Sequence, residues 1–197
     1  MRSGATVDRA EAVIRFWTDD IGEANWYVSD PAIDQKIRDG FATDWAEAAA
    51  GGLGHWLTGA RGALAYLIVT DQFSRNLFRA DGRAFALDAS ARAAAKYAIE
   101  RNWDQDIDPP LRQFFFMPLM HSENLIDQDR SVAMFATRMG GGNSNALHAQ
   151  AHRDVIRRYG RFPHRNALLG RDSTPDEVAY IDDGGYGAIV RALQAKD

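Results

Sequence analysis

The sequence predicts an all-α protein, with seven to eight helices stacked as antiparallel hairpins and no β-sheet. Three observations carry this expectation. Apolar residues recur at helical spacing along most of the chain. Cap residues, prolines and glycines punctuate those stretches where helices start and stop. No segment alternates apolar and polar residues as a half-buried strand would. Mostly short links between helices favour antiparallel neighbours, although no consensus helical repeat is visible in the sequence itself.

Ala10, Val13, Ile14, Trp17 and Ile21 form the first stripe. Asp30 followed by Pro31 reads as an N-cap and the first helical residue, where proline's missing N–H costs nothing. Ile33, Ile37, Phe41 and Trp45 follow at spacing four, and Gly51 and Gly52 supply a stop. A third, nearly all-apolar helix covers about 60–73 and is expected to be deeply buried. Asp88 is placed to cap an alanine-rich fourth helix. Asp108 and Pro109 repeat the cap-and-proline signal before "LRQFFFMPLMH", a helix that Pro118 should kink or end. "FFFMPLM" has the composition of a buried strand, but its flanks favour helix. Leu125, Val132, Phe135 and Met139 mark the next helix, and "GGGNSN" at 140–145 reads as a turn or linker. A helix from about 146 ends at Tyr159, before Gly160. Thr174 and Glu177 make a capping-box pattern. The tail beyond about 183 is expected to be loose or packed as a short helix.

With 197 residues, the chain is expected to form one domain over 1–197, with an ordered core of about 7–183 and a short C-terminal tail. A composition of 46% hydrophobic and 25% charged residues supports a packed core without metals or disulfides. The absence of cysteine excludes disulfides, thiol chemistry and Cys-ligated zinc. No apolar run reaches the length of a signal peptide or membrane span, so a soluble, cytoplasmic protein with no membrane partner is expected. A net charge of −4 disfavours a nucleic-acid partner. A leftover apolar face would leave room for a homodimer.

Four polar clusters interrupt the helical text. In "DQFSRNLFR", Asp71, Arg75, Asn76 and Arg79 end the most apolar helix, where charges need partners. They read either as an ion pair closing a helix end or as a pocket wall. In "MHSEN", His121 and Glu123 flank Ser122 at a corner, and Ser122 or Asn124 can cap the next helix. His121 is also a candidate general base with Glu123 nearby. His148 and His152 are four apart and share a helix face, as a two-histidine metal site requires, with Glu123 or Asp154 as candidate third ligand. Ala149 stands where the zinc-protease motif needs glutamate, so that chemistry is rejected and no metal site is assigned. In "RRYGRFPHRNALLG", Arg161, His164, Arg165 and Asn166 follow a helix end, around a stiff Phe162–Pro163 step. Such a turn is suited to holding a carboxylate or phosphate, or to neutralising helix-end carbonyls. No phosphate loop, nucleophile elbow or dinucleotide loop is present, and no cofactor is called for.

The stretches "DQFSRNLFR", "RAFALD", "FFFMPLMHSEN" and "HRDVIRRYGRFPHRNALLGRDSTPDE" together resemble the bacterial domain-of-unknown-function family 924, from about Phe16 to Ile181. The resemblance implies an all-helical, tetratricopeptide-like superhelical array and no established activity. The chain departs from the family at Ser74, typically proline, which is expected to loosen the turn before Arg75. It also departs at Tyr159, typically phenylalanine. The family motifs fall on Asp71, Arg75, Asn76, Arg79, His121, Ser122, Glu123, His152, Arg161, His164, Arg165 and Asn166. These residues are expected to meet in one pocket. The first functional reading is a helical binding module for a small anionic ligand or an acidic peptide. The alternatives are a hydrolase using His121, Glu123, His152 and His164 as acid–base candidates, or clusters that only lock helix corners.

Overall fold

The computed structural model describes residues 3–139 and 144–195. Helices and short helical turns account for the regular structure, and no strand occurs among the described residues. The chain divides into two compact units, Met1–Pro118 and Leu119–Asp197.

In the first unit, α1 (Ser3–Arg15) continues into a π-turn, Phe16–Ile21, and buries Ala10, Val13, Ile14, Trp17 and Ile21 as the stripe requires. Helix α2 (Pro31–Ala49) starts where expected: the Asp30 carboxylate accepts the Ala32 amide at 2.7 Å. It ends before Gly51, whose φ of 79° is the left-handed conformation that glycine tolerates. Helix α3 (Ala60–Leu67) runs through a π-turn, Ile68–Phe73, into α4 (Ser74–Leu77), extending the expected helix by one turn. Gly62 on α3 lies so close to Trp56 that an added Cβ would sit 2.1 Å from its carbonyl oxygen. Phe73 joins this helix to the others through rings at 5.1 Å from Phe41 and 5.4 Å from Trp17.

Ser74 does not loosen its turn. It is fully buried, donates to the Thr70 carbonyl at 2.7 Å and accepts the Trp45 indole N–H at 2.8 Å. Helix α5 (Asp88–Glu100) packs on α3 through Ala91, Ala94, Ala95 and Ala98, whose small side chains allow close approach. Its N-cap is Leu87, with no side-chain cap bond. Asp88 lies inside the first turn and binds Arg75 instead.

The segment after Asp108 also differs from expectation, forming a 3-10 turn, Leu111–Phe115, rather than an α-helix. Pro109 and Pro110 remove two successive donors, and the Gln113 amide then closes a short ring onto the Pro110 carbonyl. Pro118 lies within α6 (Met117–Met120), the helical turn at the end of the first unit.

In the second unit, Asn124 caps α7 (Leu125–Arg138) by accepting the Ile126 and Asp127 amides. Phe135 is buried as expected, but Leu125 is exposed; the buried face runs through Asp127, Gln128, Ser131 and Phe135. Residues 140–143 of the expected linker lie outside the described residues, and Ser144 and Asn145 belong to α8 (Ser144–Tyr159). Gly160, at φ 70°, ends α8. Thr174 and Glu177 form the expected capping box on α9 (Pro175–Asp182). The tail forms α10 (Gly185–Gln194), packed on α8 and α9. Val155, Ile156, Phe162 and Tyr180 make the core of these three helices. Among the described residues, no helix is long and apolar enough to cross a membrane.

Candidate functional site

The expected site residues fall into both units. Asp71, Arg75, Asn76 and Arg79 belong to the first, where α2, α4 and α5 supply their partners. Arg75 donates to the Asp71 carbonyl at 2.7 Å, pairs with the Asp71 carboxylate at 3.2 Å and reaches Asp88 at 3.1 Å. Burial alone would lower the guanidinium's proton affinity, but Asp71 and Asp88 raise it instead. Gln72 donates to the far oxygen of Asp71 at 2.5 Å. Asp34, the fourth residue of α2, takes Asn76 at 2.8 Å and binds the Arg79 guanidinium through both of its oxygens. Asp71 and Asp88 therefore share Arg75, while Asp34 pairs with Arg79. Asp34 and Asp88 carry no local signal of this role, because their partners lie 42, 45 and 13 residues away.

In the second unit, the corner before α7 is a closed hydrogen-bonded piece. Ser122 donates to Asp127 at 2.9 Å, and the Gln128 amide bridges the Met120 and Ser122 carbonyls at 2.6 Å each. Glu123 accepts two bonds from Arg171, at 2.8 and 3.0 Å, and the Phe162 amide at 2.8 Å. Burial pushes the Glu123 carboxyl upward, but Arg171, the Phe162 amide and nearby Arg165 hold it below its ordinary value. Arg161 binds Glu177 through both of its oxygens, at 2.6 and 2.8 Å. With the Thr174 amide, this pair lowers the Glu177 carboxyl to about 2. Asn166 is buried and ties Ser173 and Glu177 together at 3.0 and 3.3 Å.

His121, His152, His164 and Arg165 gather around Phe162. The Phe162 ring lies 5.5 Å from His152 and 5.6 Å from His164, and the Arg165 guanidinium sits over it at 4.6 Å. His121 and His152 are 6.0 Å apart, and Arg165 donates to the His121 carbonyl at 3.1 Å. The arrangement follows from the chain: Gly160 ends α8, and Pro163 and Arg165 form a 3-10 turn that returns Arg165 beneath Phe162. His152 Nδ1 bonds the His148 carbonyl at 2.8 Å, which leaves Nε2 for another partner. Burial pushes the His152 imidazole down to about 3, and His121, Arg165 and His164 push in the same direction. His148 is turned to the Tyr186 hydroxyl at 2.5 Å, and burial lowers its imidazole too. No group of three or more histidine, aspartate or glutamate side chains is placed to hold a metal ion among the described residues. Sequence reading missed Arg171 and Tyr186, whose partners Glu123 and His148 lie 48 and 38 residues away.

Fold and site together define an all-α protein whose second unit carries an arginine- and histidine-rich cluster. The sequence profile of the bacterial proteins of unknown function DUF924 matches residues 13–185, and the chain belongs to that family. Its fold is similar to the solved structure of a protein of unknown function from Agrobacterium tumefaciens. That protein is 37% identical, with a TM-score of 0.85, over 90% of this chain and 99% of the other. No curated protein matches the chain.

Proposed function

We propose that the second unit is a binding module for a small anion, held by His121, His152, His164 and Arg165 around Phe162. One observation carries this reading: the charged neighbours that act on His152 are His121, Arg165 and His164, all cationic when protonated. A half-buried imidazole among such groups stays neutral at physiological pH. An incoming phosphate or carboxylate accepts from Arg165 and from the histidines as they protonate. Arg161 and Arg171, which the local sequence would equally offer to a ligand, are engaged by Glu177 and Glu123. In this reading those two pairs lock the corners, while the histidines and Arg165 bind. A groove on a helical array suits a small ligand or the acidic side chains of a peptide.

The test is a histidine-resolved NMR titration with inorganic phosphate and with citrate. An anion at the site raises the His152 pKa from about 3, and Arg165→Gln weakens binding at least tenfold. An unmoved His152 pKa at saturating anion sinks the proposal.

A further inference from the structure

A second feature of this unit lies between α9 and α10, bordered by the end of α8. A cavity of about 250 Å³ is lined by Arg158, Tyr180, Asp183, Ala188, Ile189 and Ala192, among others. It is smaller than the roughly 300–1,000 Å³ that holds a drug-sized ligand, so it suits a small molecule. Ala188, Ile189 and Ala192 make one wall apolar.

Polar groups on the opposite side are left unused. Tyr180 is 8% exposed, and its hydroxyl has no hydrogen-bond partner among the described residues. The Tyr159 hydroxyl is likewise buried and without a partner, and the two rings lie 4.9 Å apart. Native proteins pair the large majority of their buried polar groups, so two adjacent orphans call for an occupant. Arg158 completes the set. Its guanidinium lies 5.0 Å from the Tyr159 ring centre, and it makes no ion pair among the described residues. Its neighbours differ: Arg157 faces Asp129 at 3.7 Å and Arg161 binds Glu177 at 2.6 Å. Arg158 also borders the adjoining depression that Tyr159 lines.

The geometry points to a second ligand site between α8, α9 and α10 that takes a singly charged carboxylate with a short aliphatic body. The carboxylate accepts from the Tyr180 hydroxyl and pairs with Arg158. The aliphatic body lies on Ala188, Ile189 and Ala192. Asp183 lines the same cavity and repels a second negative charge, which selects a monocarboxylate over a dicarboxylate or phosphate. The Tyr180 hydroxyl is covered in the empty protein, so binding includes a side-chain shift that opens the cavity to it.

The experiment titrates the full-length Arg165→Gln variant, whose histidine cluster has lost its permanent cation, with sodium hexanoate, read by calorimetry and thermal melting, with hexanol, succinate and inorganic phosphate in parallel. Hexanoate is expected to bind saturably and raise the melting temperature, and the other three to bind at least tenfold more weakly. Arg158→Gln should weaken hexanoate tenfold. Tyr180→Phe should also weaken hexanoate, yet raise the melting temperature of the empty protein, because it removes a hydroxyl that has no partner. Equal binding of hexanol or phosphate, or a lower melting temperature for empty Tyr180→Phe, would each overturn the assignment. Absence of saturable hexanoate binding would do the same.

Discussion

In the first unit, Asp71 and Asp88 face Arg75, and Asp34 faces Arg79 and Asn76. In the second, His121, His152, His164 and Arg165 surround one phenylalanine, and burial with cationic neighbours keeps His152 neutral. Both clusters interrupt apolar helical text with similar polar residues. They differ in what they respond to. A buried ion pair is fixed by its own charges, whereas imidazoles gain protons as their surroundings change. The first arrangement is what a helix corner needs, and the second is the basis of the proposed anion site.

The largest expected effect tests the closed network. Arg75→Ala leaves the Asp71 carboxylate, 1% exposed, with Gln72 in place of its cation. Breaking one side of such a buried pair costs about 3 kcal/mol, read as a shift in the urea midpoint. Arg165→Ala in the other cluster should cost less, about 1–2 kcal/mol, because nearby Glu123 keeps its pair with Arg171 and no carboxylate is stranded. Equal losses would erase the distinction between the two regions.

What the sequence made legible was local. The stripe on α1, the Asp30–Pro31 start of α2, the Gly160 stop and the Thr174–Glu177 box each involve residues a few positions apart, and each is present as read. Asp88 was read as a cap because caps are local. Its engagement of Arg75 from inside the first turn depends on how the chain folds back. Ser74 was read as a loosening of its turn, whereas its hydroxyl is fixed by Trp45, 29 residues earlier. The cap-and-proline signal at Asp108 failed for a local reason: a second proline followed the first and tightened the turn. The candidate residues were legible as types, since arginines and histidines near helix ends need an explanation. Which of them are neutralised was not legible, because Arg171 finds Glu123 across 48 residues and Arg161 finds Glu177 across 16.

A middle-sized effect sharpens the structural half of the second unit. Thr174→Ala removes the hydroxyl that caps α9 and should cost about 1 kcal/mol, seen as a lower melting temperature. The same corner has a pH signature. Glu177 has a folded pKa of about 2, against 4.5 for the free group. Its contribution is therefore full above about pH 4.5 and is lost as the pH falls toward 2. Acid unfolding followed by circular dichroism should show this loss, and Glu177→Gln should flatten the curve in that window. A curve unchanged by Glu177→Gln would mean that the pair with Arg161 does not hold the corner.

The smallest effect bears most directly on the histidine cluster. His152 has a folded pKa of about 3, below its ordinary 6.5, so between those values the unfolded chain binds more protons than the folded one. Stability should therefore decline as the pH falls from about 6.5, before the carboxylates titrate. The change between pH 7 and pH 6 should stay below about 1 kcal/mol, because the unfolded imidazole takes up only part of its proton over that range. His152→Gln should remove this early decline, while the fall due to Glu177 below pH 4.5 persists. Phosphate should also remove it in the parent protein, by raising the folded pKa toward 6.5. In Arg165→Gln, phosphate should have little effect on the slope, because the anion has lost its permanent cation. A decline that phosphate leaves untouched in the parent would make the histidine cluster another closed corner, like the network around Arg75.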